Sequence, residues 1–136
     1  MATTVEEVYA DALTRLRANT APLPWYEEQM PDTEIMDGNP YGILSLLGPY
    51  ESRHDQNILG VEDQPMDGTL LMSITARTTD VANLETAAAT KLLRGWAPSN
   101  TSALRTTPAR GYEPVYSKFE PTLITRNVLF WFTTNL

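Results

Sequence analysis

The stretch DGTLLMSITARTTDVANLETAAATKLLRGWAP, residues 67–98, decides how the chain folds. It reads as a turn, an alternating strand, a capped helix and a stop. Asp67-Gly68 is a turn signal. Leu70, Met72, Ile74 and Ala76 alternate with Leu71, Ser73, Thr75 and Arg77, the period of a strand with one buried face. Asp80 is placed to cap a helix over about 81–94, whose Val81, Leu84, Ala88 and Leu92 recur at helical spacing. Gly95 supplies the left-handed residue that ends it, and Pro98 forbids continuation. A strand followed at once by a helix puts both in one packed layer pair, and the rest of the chain has to complete the sheet.

Working outward, Thr4 and Glu7 form a capping box ahead of a stripe of Val5, Val8, Tyr9, Ala12, Leu13 and Leu16. An N-terminal helix ending near Arg17 follows. Pro22-Leu23-Pro24 is stiff and leads into a short strand, Trp25 to Gln29, that the prolines consign to a sheet edge. Tyr41 to Leu47 is apolar on both faces and belongs inside the sheet. Gly48 to Gly68 reads as a long polar loop interrupted by Ile58-Leu59-Gly60-Val61; that apolar segment either folds back on the domain or contacts a partner. Ala97 to Tyr112 is a second polar segment. Val115, Ser117 and Phe119 mark a short strand. In the last strand, Thr122 to Thr133, Ile124, Val128, Phe130 and Phe132 share one face with Arg126, and Leu129 and Trp131 lie on the other. The expected fold is α+β: one domain over residues 1–136, with a mixed or antiparallel sheet and both helices packed on it. The expected core is Val5, Val8, Leu13, Leu16, Leu70, Met72, Ile74, Val81, Leu84, Leu92, Ile124, Val128 and Phe130.

Composition narrows function by exclusion. There is no cysteine, so disulfides, thiolate metal sites and cysteine nucleophiles are absent. His54 is the single histidine, and its spacing to Glu51, Arg53 and Asp55 matches no metal-ligand pattern. Glu27-Glu28 and Glu62-Asp63 are adjacent pairs that point apart on a strand. No nucleophile-elbow serine, phosphate-binding loop or dinucleotide fingerprint occurs. Neither catalytic residues nor a cofactor or metal is expected. No apolar run approaches the ~18 residues of a membrane span, and Met1 to Glu7 lacks the features of a signal peptide. Net charge is −7, unevenly spread. Residues 1–68 hold thirteen acids and three bases, a balance of −10; residues 69–136 hold four acids and seven bases, a balance of +3. Such a split can express complementary surfaces or simply interleave in space. There is no clustered basic patch of the kind that grips nucleic acid.

The order of these features resembles the tail terminator proteins of long-tailed, non-contractile (siphovirus-type) phages, especially those of actinobacteria. The resemblance rests on the Val5–Arg17 helix followed by Asn19-Thr20-Ala21-Pro22-Leu23-Pro24-Trp25-Tyr26. It continues with Pro40-Tyr41 opening an apolar strand closed by Gly48-Pro49, and with the Leu70–Arg77 strand running into a helix ending Leu92-Leu93-Arg94-Gly95-Trp96-Ala97-Pro98. It covers most of residues 1–98; the strand after the second helix is only loosely echoed by Glu113-Pro114-Val115-Tyr116. The resemblance implies a structural virion protein of the tail neck, assembled in the host cytoplasm. Such proteins form a hexameric ring that caps the head-proximal end of the tail tube and meets the head connector, with DNA passing through the lumen. Within that expectation Ile58, Leu59 and Val61 are candidate partner contacts. Arg94, Arg105 and Arg110 are candidates for the basic side of the subunit interface, and the acids of residues 27–37 and 51–67 for the lumen wall. The alternatives are another neck or tail-completion protein, or a free-standing ligand-binding α+β domain.

Overall fold

The computed structural model describes residues 4–20, 23–27, 39–51, 66–98, 100–107, 115–116 and 123–135. The elements are α1 (Val5–Asn19), β1 (Trp25–Tyr26), β2 (Tyr41–Glu51), β3 (Met66–Ala76), α2 (Thr79–Leu93), β4 (Arg105–Thr107), β5 (Val115–Tyr116) and β6 (Ile124–Thr134). They form an α+β fold: a mixed sheet in the order β1-β2-β3-β6-β4, with β5 also paired to β6.

β3 is the spine of the sheet. All eleven of its residues pair antiparallel with β6, from Met66↔Thr134 to Ala76↔Ile124, and its other edge pairs antiparallel with β2. The expected turn at Asp67-Gly68 is therefore not a turn. Gly68 pairs with Phe132 inside the strand, and glycine is needed there because a Cβ would come 2.4 Å from the Phe132 ring. The expected loop from Gly48 to Gly68 shortens accordingly, since β2 runs on to Glu51 through a register shift between Leu47 and Tyr50. A bulge is where a sheet tolerates Gly-Pro. β1 joins the free edge of β2 in parallel, Trp25↔Gly42 and Tyr26↔Ile43, in the edge position that Pro22 and Pro24 called for. The remainder of the expected strands, Glu28-Gln29 and Ser117 to Phe119, lies outside the described residues.

Both helices cover one face of the sheet. Val5, Val8, Ala12, Leu13 and Leu16 of α1 and Ala89 and Leu93 of α2 enter one buried cluster with Leu44, Leu70, Met72, Ile74, Phe130 and Phe132. Thr4 caps α1, its hydroxyl accepting from the Glu7 N–H at 3.1 Å. At the other end the Thr20 hydroxyl donates to the Leu16 carbonyl at 2.6 Å and accepts from the Trp25 indole at 2.7 Å. That chain of two bonds ties the helix end to the sheet edge. Trp25 is buried in the core, while Trp96 packs half-buried against it.

Helix α2 departs from expectation in its cap and its face. Thr78, not Asp80, is the N-cap, with its hydroxyl accepting from the Val81 N–H at 3.2 Å. The buried stripe is Ala82, Ala89 and Leu93, whereas Val81 is 37 % exposed and Leu84 69 % exposed; Leu92 is half-buried. The reason is volume. Phe130 and Phe132 share the core with the helix, and Ala82 meets Ala76 and Ile124, so the helix sits close through Ala82 and Ala89, while Leu93 near its end reaches into the core. Gly95 does take the left-handed conformation, at φ +81°.

Truncating Ile74, fully buried beneath the helices, to Ala costs roughly 2–5 kcal/mol, whereas Leu84→Ala stays within about 0.5 kcal/mol of the parent. Urea unfolding of the two variants checks this. Equal losses would show that the face assigned to α2 is wrong.

Candidate functional site

Among the described residues the most exposed large apolar side chain is Leu84, and it does not stand alone. Val81, Leu84 and Ala88 are all exposed and fall at i, i+3 and i+7 of α2, a spacing that draws one line along a helix. The line lies on the side away from Ala82, Ala89 and Leu93. It continues to the exposed Lys91, and beside it Ala87, Thr90, Lys91 and Arg94 line an open depression. The helix thus carries two apolar stripes, a small one turned inward and a large one turned out. Sequence periodicity found the outer stripe and assigned it to the core, because periodicity measures the presence of a stripe and not what faces it.

The C-terminal end of this ridge is basic. Arg94 caps α2, its backbone N–H donating to the Thr90 carbonyl at 2.8 Å. The Gly95 N–H donates to the Leu104 carbonyl at 2.9 Å, and the Leu104 N–H donates to the Trp96 carbonyl at 2.9 Å. This two-bond ladder brings Arg94 and Arg105, both exposed and eleven residues apart in sequence, onto neighbouring strands of backbone. The ladder joins their backbones only: Leu104 turns into the core beneath the helices, so Arg105 turns to the other face of the sheet, where it meets Trp131, and the two arginines do not form one surface. Arg110 lies outside the described residues, as do Ile58, Leu59 and Val61. Arg105 holds its guanidinium 5.2 Å from the centroid of Trp131, itself 38 % exposed. Such a stack contributes about 0.5–1 kcal/mol at an exposed site and keeps the cation in place. Arg15 stacks on Trp96 at 5.3 Å while its Nε donates to the Leu92 carbonyl at 2.8 Å. Cations gathered at a helix C-terminus suit its dipole. Lys91 and Trp131 were not singled out from sequence; a cation one helical turn before Arg94 was the available signal.

The opposite face of the sheet is mixed. Thr75 and Thr125 hydroxyls meet at 2.7 Å, Ser73 donates to Asn127 at 2.6 Å, and Thr133 donates to the Asp67 carboxylate at 2.7 Å. Half-buried Ile43, Leu47 and Leu71 share that face. Of the acidic segments, Glu27 is exposed and Asp67 is held by Thr133; residues 28–37 and 52–65 lie outside the described residues. Among the described residues no group of three or more His, Asp or Glu side chains gathers as a metal set, and no helix is long and apolar enough to cross a membrane. Among the described residues Thr86 Oγ1 on α2 and Arg126 Nε on β6 are buried without a hydrogen-bond partner.

Set against known proteins, the chain matches no protein-family model and no curated protein.

If the basic end takes part in association, charge reversal at Arg105 and Arg110 weakens it, and more at low salt than at high, because exposed charges are screened over about 10 Å at 0.1 M salt. Sedimentation at two salt concentrations reads the effect. Indifference to both salt and charge reversal would remove these arginines from the interface.

Proposed function

We propose that the chain is a tail terminator: a non-catalytic structural protein of the phage neck. It forms a ring on the head-proximal end of the tail tube, ends tube polymerisation and offers a surface to the head connector. The observation that carries this reading is the ordered run of features over residues 1–98, from the capped first helix to Leu92–Pro98. The exposed ridge of α2 supports it, because a monomer gains nothing by displaying Leu84 and Val81 beside each other. A closed ring needs heterologous contacts, in which one patch meets a different patch on the neighbour. The unequal charge of the two chain halves, −10 and +3, offers such a pair.

The ring would also have to let DNA pass. Six copies carry a formal charge of −42, six times −7. A basic lumen would bind phosphates through counterion release and retard the genome, so the lumen wall in this reading is polar and acidic, drawn from residues 27–37 and 51–67. The mass of the purified protein, alone and with tube protein, is the direct test. A sixfold mass and capped, length-limited tubes are expected; a monomer that leaves tube growth unchanged would overturn the reading.

The DNA expectation is separate. The assembled ring shows no measurable affinity for free duplex at moderate salt. Tight duplex binding in a gel-shift titration would refute an acidic lumen.

A further inference from the structure

Two exposed lines, one on each helix, match each other. On α2 the line is Leu84, Ala87, Lys91 and Arg94, at i, i+3, i+7 and i+10, and its last three members line the open depression beside that helix. On α1 it is Glu7, Ala10, Thr14 and Arg17, at the same spacing, and every side chain of both lines is exposed. Laid antiparallel, the lines put Arg94 against Glu7 and Lys91 against Ala10, within reach of Glu6 one turn earlier. Ala87 then meets Thr14, and Leu84 meets the aliphatic stem of Arg17. Cations face acids at one end, an apolar side chain faces methylenes at the other, and the residues between are small.

The α1 of the same copy cannot take this position, because it lies on the other flank of α2. There the Arg15 Nε donates to the Leu92 carbonyl at 2.8 Å, and Leu92 packs half-buried against the core. Leu92 and Arg94 are two residues apart, about 200° round the helix. By the same measure Arg15 turns toward α2 and Arg17 away from it, and Arg17 donates to the Trp25 carbonyl on β1 at 3.0 Å. The two lines therefore lie on opposite sides of the helix layer. Their polarity also agrees. Val5, at the start of α1, stands beside Gly68 near one end of β3, whereas α2 starts just beyond Ala76 at the other end. The helices run antiparallel, so the acidic first turn of α1 and the basic last turn of α2 share one end of the sheet. A copy turned about an axis along the helices brings its α1 to α2 in the orientation the charges require.

We propose that the outer flank of α2, from Leu84 to Arg94, is the seat for α1 of a second copy of this chain. Every copy offers one α2 flank and one α1 flank, so the contact is heterologous and can close a ring. The choice of partner rests on the ring proposed above.

The native chain has no cysteine, which makes thiol cross-linking clean. Thr14→Cys and Ala87→Cys variants are prepared singly and together, with Val81→Cys, exposed on a different side of α2, as the control partner. Circular dichroism confirms that each variant folds. Mixing the two single variants under mild oxidation yields a disulfide-linked pair, and the double variant yields a covalent ladder of subunits. Reversal of charge at Lys91 and Arg94 weakens self-association by about tenfold, and reversal at Glu6 and Glu7 in the same chain restores it. The inference is overturned by cross-linking of Thr14→Cys to Ala87→Cys no better than to the Val81→Cys control, by a bond formed only within one chain, or by an Ala87→Cys homodimer as the main product. If the native protein has the mass of a ring and these results still go against it, this contact alone falls. If the native protein is a monomer at every concentration, the ring falls with it.

Discussion

Two aromatic rings laid over two glycines hold the sheet in register, and the rest of the fold depends on them. Trp25 covers Gly42, its partner across the parallel pair, and Phe132 covers Gly68, its partner across the antiparallel pair. A Cβ at Gly42 would come 2.6 Å from the indole, and one at Gly68 would meet both Phe132 and, at 2.9 Å, Val5. Covering a strand glycine with a cross-strand aromatic fills the gap left by the missing side chain and pins the pairing. A slip of one residue would turn every side chain of the strand to the other face. It would put Leu71 and Ser73 where Leu70 and Met72 now meet the helices. The same two contacts also place α1. Val5 at its start touches the Phe132–Gly68 site, and Thr20 at its end receives the Trp25 indole.

Sequence periodicity located every major element, because α1, β3 and β6 each bury the face their pattern marks; in α2 it found a helix but marked the exposed face. Thr4 was legible as a cap and Gly95 as a stop for the same local reason. What periodicity missed were contacts between elements distant in sequence. Asp67-Gly68 has the composition of a turn, yet Gly68 serves a ring 64 residues later. The cap of α2 was placed two residues late because Thr78 and Asp80 both carry oxygen acceptors, and only the backbone path leaving Ala76 selects between them. The candidate site was legible in composition and illegible in position. The Gly95–Leu104 ladder that ties the end of α2 to β4 leaves no periodic trace, and neither does the stack of Arg105 on Trp131 across the sheet from the helix.

Helix α2 shows why its outer face is apolar at all. A helix lying on a sheet already filled by Phe130, Phe132 and Met72 has little room left beneath it. Alanine answers that constraint at Ala82 and Ala89, and alanine also favours the helix. Fold stability then makes no demand for Val81 or Leu84; polar side chains would serve an isolated surface equally well or better. Val81 and Leu84 are thus apolar groups that the fold itself does not use, which is what the proposed assembly role would account for.

That separation has a consequence for how assembly and folding are coupled. The core cluster and the ridge share one helix but no side chains, so the subunit completes its core before the ridge is covered. Burying a side chain the size of Leu84 contributes about 1.5–3 kcal/mol, and fixing the side chains that meet it offsets part of it. In the proposed assembly one such contact would be weak by itself, and a pair of copies would come apart readily. A closed ring differs, because every copy is held through two contacts at once, and losing one leaves the other to raise the effective concentration for rejoining. Modest interfaces that become stable only on closure suit a cap that must not polymerise into an open filament. In the proposed ring, the close approach that Ala82 and Ala89 allow would bear on assembly, since it leaves Val81 and Leu84 of the same helix exposed.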